Sequence, residues 1–269
     1  MIGIARNEEE AYKEQLNEWS GLTLHYLRKK DTVNATNNIK KIIDRVNPNV
    51  DLLNFETKIY SSTLKYYSEI LRDSDPDRAL TFLSKAINIQ VKYRMVHPTH
   101  PIFYQLEKIE LLVDLKRSKE ADSHISQLMK DVNSYTPIEL FRLYILKGKI
   151  SNLLNNQTSA QDYFDKALFV FNETGEVQES LNFEEVKPMI SFESVDGFVE
   201  MGDFYFNLFK EHSDKNSLNQ AFLRYTLASK IFNNLYLGER LDRAVKVSHL
   251  GRMKVSIANQ LLKIDSLEV

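Results

Sequence analysis

The chain has 269 residues, 43% hydrophobic and 27% charged, which is length and apolar content enough to bury a sizeable core in a soluble globular protein. Its 35 basic and 37 acidic residues nearly cancel and form no sustained basic stripe, which disfavours nucleic acid as a partner. The absence of cysteine excludes disulfides, thiolate metal sites and a cysteine nucleophile, and no run approaches the roughly 18 consecutive apolar residues of a membrane span.

Eight glycines and six prolines are few, so the expected elements are helices joined by short turns. Residues 7 to about 30 read as a long amphipathic helix with Leu16, Trp19, Leu22, Leu24, Tyr26 and Leu27 as its apolar set. A second helix over 33–46 stops at the turn signal Asn47-Pro48, and a third spans 51–71. Asp75-Pro76 supplies an N-cap and a first-turn proline for the helix that carries Ala79. The prolines of 97–101 bracket a turn before a helix over 103–115, which a short polar connection joins to the helix of Ala121. Thr136-Pro137-Ile138-Glu139 combines a capping box with proline at the first helical position, and 158–161 and 217–220 read as capping boxes too.

One packing pattern recurs along these helices. Ala160, Phe164 and Ala167 place small, large and small side chains on one helical face, as do Ala79, Leu83 and Ala86, and Ala221, Tyr225 and Ala228. Looser copies begin at Ala35 and Ala121. The marker alanines at 35, 79, 121, 160 and 221 give intervals of 44, 42, 39 and 61, and the first three suit helix–turn–helix repeats. The long last interval points to an acidic insertion loop at 173–191, and a helix over 242–262 without the marker is expected to cap the array.

In the fourth unit Tyr144, Gly148, Ala160, Phe164 and Ala167 stand where tetratricopeptide (TPR) repeats place their signature residues, with the glycine 12 positions before the alanine. The chain resembles that family over roughly residues 35–235, and its HPTHP turn and 42-residue interval are similar to the longer kinesin-light-chain type of repeat. The other units are degenerate copies, with Tyr67 and Ile109 where Gly148 sits. The resemblance implies an all-α fold: a right-handed α-solenoid of about five TPR-like helix pairs plus a C-terminal capping helix, in a single repeat domain over 1–269. A narrower resemblance rests on YFDKALFVFN, the acidic insertion, SFESVDGFVEMGDFYFNLFKE and SLNQAFLRYTLASKIFNNLYLGERL. That order looks like the helical region preceding the caspase-like CHAT domain of bacterial TPR–CHAT proteins. It implies a sensor or regulatory arm whose peptidase domain is absent from this chain; the alternative is a free-standing peptide receptor or scaffold, and the lack of an apolar leader or span makes a cytoplasmic location the expectation.

The chemistry-bearing residues read as structural. His97 and His100 at i, i+3 lack a third ligand nearby, and the acidic run 73–77 lacks the glycine and terminal glutamate of a calcium loop, so no metal site is expected. No catalytic or cofactor-binding motif is present, neither a nucleophile elbow nor a phosphate-cradling glycine loop, so no cofactor and no enzyme activity are expected. Tyr60, Tyr66, Tyr67, Tyr104 and Tyr144 fit core packing better than an aromatic ligand cage. In such arrays the first helix of each pair lines the concave, ligand-binding face. The repeat register puts Phe103, Glu110, Asp114, Arg142, Lys149 and Asn152 there, as contacts for a protein or peptide. The Lys/Asn clamp with which some TPR proteins hold chaperone tails is not reproduced.

Overall fold

The structure is a computed structural model and describes residues 2–48, 51–93, 102–172, 191–235 and 241–267. Among them every regular element is helical: α1 (Ile2–Arg28), α2 (Thr32–Arg45), α3 (Asn54–Leu71), α4 (Pro76–Lys92), α5 (Ile102–Asp114), α6 (Ser118–Leu128), a 3-10 helix (Met129–Ser134), α7 (Pro137–Leu153), α8 (Gln157–Asn172), α9 (Phe192–His212), α10 (Lys215–Asn234) and α11 (Leu241–Leu267). Among the described residues this is an all-α architecture of successive antiparallel helices. The chain divides into two compact units, Met1–Arg117 and Ser118–Val269. The first contains the pairs α1–α2 and α3–α4 together with α5; the second contains α6, the pairs α7–α8 and α9–α10, and α11. The unit boundary thus falls between the two helices that the sequence assigns to its third pair.

The alanine pattern marks the buried face of each second helix. Ala35, Ala79, Ala121, Ala160 and Ala221 are all fully buried, as are Ala86, Ala167 and Ala228. In α7–α8 this face closes on Gly148: a Cβ there would lie 2.6 Å from Cε1 of Phe164, so only a hydrogen leaves room for the ring. Seven residues back on α7 and seven forward on α8, Phe141 meets Phe171 with centroids 5.8 Å apart, which fixes one antiparallel register for the pair. In α9–α10 the same seat is Gly202, where a Cβ would meet the Tyr225 ring at 2.9 Å. The 12-residue rule from glycine to alanine misses it because this hairpin is one turn longer on each helix. Gly202 lies 19 positions before Ala221. Part of the long interval is therefore helix, not loop. Apart from Ser191, the expected 173–191 loop lies outside the described residues, as do His97 and His100.

Three of the turns that lead into a marker helix share one geometry. Lys30, Lys116 and Asn155 have φ of 58°, 59° and 60° and each stands five residues before a marker alanine. After each, the next N–H reaches back to the carbonyl five residues earlier at 2.9 Å (Asp31 to Tyr26, Arg117 to Leu112, Asn156 to Ser151), the bond that closes a Schellman turn. The second helix then begins with a side-chain cap. Asp31, Asp75, Asn156 and Asp214 each accept from the N–H three residues on, at 3.0, 3.2, 3.1 and 2.8 Å. This corrects two expected starts. α8 begins at Gln157 under Asn156, and α10 at Lys215 under Asp214, so 158–161 and 217–220 lie inside helices and are not capping boxes. At Thr136 the expected box is present: its N–H donates to Glu139 Oε2 at 2.7 Å, with Pro137 in the first turn. α3 starts at Asn54 instead of 51 because the Leu52 N–H is taken by the Tyr93 hydroxyl at 3.0 Å, and Glu56 caps Leu53.

Each unit has its own core. In the first, Leu16, Ile42, Val46, Tyr60, Leu64 and Ala86 pack together. In the second, Phe141, Phe164, Phe171, Phe198, Tyr225 and Phe232 form an aromatic core that Leu250 and Ile257 of α11 complete. Burying each such ring contributes about 2–3 kcal/mol.

Candidate protein-binding surfaces

Neighbouring first helices within each unit are tied by polar contacts, which in the first unit fall at repeat-equivalent positions. Tyr12 of α1 donates to Glu56 of α3 at 2.6 Å, 44 residues away, the interval between the first two marker alanines. Lys65 and Arg72 of α3 reach Glu107 and Asp114 of α5 at 3.2 and 2.5 Å, both 42 residues on, the next marker interval. In the second unit Lys149 of α7 donates to Glu200 of α9 at 2.5 Å. Burial alone would lower the Lys65 pKa, but Glu107 and Glu69 outweigh it and hold the ammonium above its usual range. Burial and then the hydrogen bond to Glu56 push the Tyr12 hydroxyl up to about 12. These groups are held in place before any ligand arrives.

The six residues assigned to the ligand-binding face fall three in each unit. Asp114 is committed to Arg72, whose Nε and Nη2 lie 3.1 and 2.5 Å from its Oδ2. Lys149 is committed to Glu200. Phe103 and Glu110 of α5 and Arg142 of α7 are half-buried and engaged by neighbours. Asn152, one turn beyond Lys149, is half-buried and its side chain makes no hydrogen bond among the described residues. The structure therefore makes Asp114 and Lys149 buttresses between helices. Their partners Arg72 and Glu200 were missed in the sequence. For Arg72 a signal existed: opposite charges set one repeat interval apart.

Of the five tyrosines weighed as a cage, Tyr60 and Tyr67 are buried in the first unit, and Tyr66 and Tyr104 there are half-buried. Tyr144 lies in the second unit, stacked on Tyr163 at 6.3 Å. It lines a cavity of about 520 Å³ between α7 and α8, with Asp162, Asp165, Lys166, Phe169 and Val170. A smaller cavity of about 350 Å³ lies between α10 and α11. Behind the first cavity, Asp165 interacts with Tyr205 and Arg224. Arg224 is 4% exposed, lies 5.5 Å from the Tyr205 ring centroid, and its Nε and Nη1 have no hydrogen-bond partner among the described residues. Burial pulls the guanidinium below its usual range, against the pull of Tyr205 and Asp165. Asp75 of the acidic run 73–77 is spent on capping α4, and no group of three or more metal-ligating side chains occurs among the described residues.

No helix among the described residues is long and apolar enough to cross a membrane. No protein-family model and no curated protein matches the sequence. Among solved structures, a tetratricopeptide repeat protein from Parabacteroides merdae ATCC 43184 is similar over 92% of this chain and 98% of its own, with a TM-score of 0.47 and 17% identity.

Proposed function

We propose that the chain is a non-catalytic protein–protein interaction module that holds a protein or peptide on the exposed face of its first helices, without a cofactor. The observation that carries this reading is the set of cross-helix contacts at repeat-equivalent positions, Tyr12–Glu56, Lys65–Glu107 and Arg72–Asp114. They hold side chains of adjacent helices in fixed relation, and a surface ordered in advance loses less entropy on binding. On this reading Phe103 and Glu110 offer ligand contacts in the first unit and Arg142 and Asn152 in the second, while Asp114 and Lys149 each keep the helices of their own unit in register. A finer form of the proposal makes the chain the cytoplasmic sensor or regulatory arm of a bacterial CHAT-type peptidase, with ligand binding altering the spacing of the helices and thereby the attached domain. The support for that form is the C-terminal sequence order described above; a free-standing peptide receptor is the other form.

The test is a selection of random peptides displayed on phage against the immobilised full chain, followed by affinity measurement with Arg142→Ala, Asn152→Ala and Phe103→Ala. Selected peptides should lose about tenfold in affinity with at least one variant. Affinity unchanged by all three overturns the first-helix surface. For the finer form, removing the helical arm from a protein that carries both parts should change peptidase activity; unchanged activity overturns it.

A further inference from the structure

The cavity between α7 and α8 lies away from the first-helix surface. Tyr144 follows Arg142 by two positions, roughly 200° round the helix at about 100° per residue, and the other five lining residues belong to α8. Its volume of about 520 Å³ suits a side chain or two of a bound segment. One wall is apolar, built by Tyr144, Phe169 and Val170. Phe169 is 56% exposed and makes no ring contact among the described residues. The exposed Phe169 ring leaves apolar surface at the edge of the cavity that an apolar group could cover.

The rim carries two carboxylates, Asp162 and Asp165, against one ammonium, Lys166, whose Nζ lies over the Tyr163 ring at 4.8 Å and forms no ion pair with Asp162. Asp162 has no ion-pair partner among the described residues, and the charge it meets is that of Asp165. Desolvation raises the Asp165 carboxyl above its usual range, Arg224 opposes this, and Asp162 adds to it. A cation entering the cavity relieves that repulsion and finds the face of Tyr144 or Phe169 beside it.

We infer that the α7–α8 cavity docks a peptide segment carrying a basic side chain next to an apolar one, the apolar group against Phe169 and the cation toward Asp162. This surface is additional to the first-helix face. The occupant is a peptide and not a free amine, because the apolar wall and the acidic rim ask for two different groups at adjacent positions.

The test uses the full chain and a random dodecapeptide library displayed on phage, selected with the wild type and counter-selected with Phe169→Ser. Synthetic copies of the enriched peptides are then measured by fluorescence anisotropy. Enriched peptides should carry Arg or Lys beside an apolar residue. They should bind Phe169→Ser at least about tenfold more weakly and Asp162→Asn about threefold more weakly, with a shallower salt dependence in the latter. Both positions are exposed, and matching helical circular dichroism of the variants establishes that they fold. Arg142→Ala should leave the affinity unchanged. No enriched sequence, acidic enriched sequences, or affinity indifferent to Phe169 and Asp162 overturns the inference. Affinity lost in Arg142→Ala instead also overturns it, while sparing the first-helix reading.

Discussion

The pairs α3–α4 and α7–α8 carry the same alanine pattern and fill the space between their helices in opposite ways. In α7–α8 the large ring, Phe164, comes from the second helix, and Gly148 of the first makes room for it. In α3–α4 the matching first-helix residue is Tyr67, and the middle residue of the second-helix pattern shrinks to Leu83, 2% exposed. Tyr67 packs its ring 4.7 Å from Phe82. The large ring thus comes from the second helix in one pair and from the first helix in the other. Tyr67→Gly, which gives α3 the residue of α7, should therefore break the first unit. Leu83 cannot fill the cavity, and the loss should be about 4 kcal/mol by chemical denaturation, from the missing ring and the mid-helix glycine together. A loss below about 1 kcal/mol would mean that the pairs do not share one design.

The second contrast concerns hydroxyls. Phe164 has none, whereas its counterpart Tyr225 is fully buried and donates to Asp203 of α9; burial first, then this bond, raises its pKa. Tyr205, beside it in the second unit, is pushed up to about 12 by burial and by the charge of Asp165. The unfolded chain releases phenol protons near 10, while the folded chain holds them. The stabilisation is thus complete below pH of about 10 and is lost as pH rises toward about 12. The fall attributable to Tyr205 should be about 2–3 kcal/mol, taking about 1.4 kcal/mol per pH unit. Urea midpoints measured across this range should drop steeply for the wild type and less steeply for Tyr205→Phe. Equal slopes would remove Tyr205 as the cause.

How far the sequence exposes this design depends on what each feature needs. Buried small residues at i and i+7 leave a periodic trace, so every marker alanine and the pattern around Phe164 and Tyr225 could be read directly, and with them the helical repeat class. Gly202 was hidden because one extra turn on each helix moves the glycine by seven residues while keeping its face, which defeats a fixed spacing. The turns were hidden because their left-handed residues are Lys30 and Lys116, which carry no turn signal. Caps at Asn156 and Asp214 were overlooked in favour of serines and threonines inside the helices, although an amide or carboxylate next to a left-handed residue competes better for the free N–H groups. On the candidate surface, residue type located Asp114 and Lys149 but could not say that each was already paired. The α7–α8 cavity needed coordinates, since Tyr144 and Phe169 come together only through the antiparallel register.

A smaller perturbation tests the glycine seat itself. Gly148→Ala sets a methyl 2.6 Å from Phe164 Cε1 within a ring that is 2% exposed and has nowhere to retreat. Overpacking of about 1–3 kcal/mol is partly offset by the roughly 1 kcal/mol that alanine gains over glycine in a helix, leaving a net loss of about 1 kcal/mol. Phe164→Leu copies Leu83 of the other pair. Combined with Gly148→Ala it should cost less than the two single changes added, with a coupling of about 1 kcal/mol. Strict additivity would show that the ring does not rest on the glycine.

The smallest effect separates the turns of the two pairs in the first unit. Lys30, between α1 and α2, holds φ at 58°, where a side chain costs about 1–2 kcal/mol in backbone sterics. Ser74, the matching residue between α3 and α4, is not among the residues with positive φ, and the following Asp75 N–H takes the Leu71 carbonyl four residues back, at 2.7 Å. Glycine relieves strain only where strain exists, and everywhere it adds freedom to the unfolded chain worth about 0.5–1 kcal/mol. Lys30→Gly should therefore stabilise the chain by about 0.5 kcal/mol, and Ser74→Gly should destabilise it by a similar amount. Opposite shifts in the denaturation midpoint, read from the same preparation conditions, would tie the difference to backbone conformation. Shifts of the same sign would assign it to the lost side chains, because neither the turn geometry nor the unfolded-state entropy can then be what distinguishes the two positions.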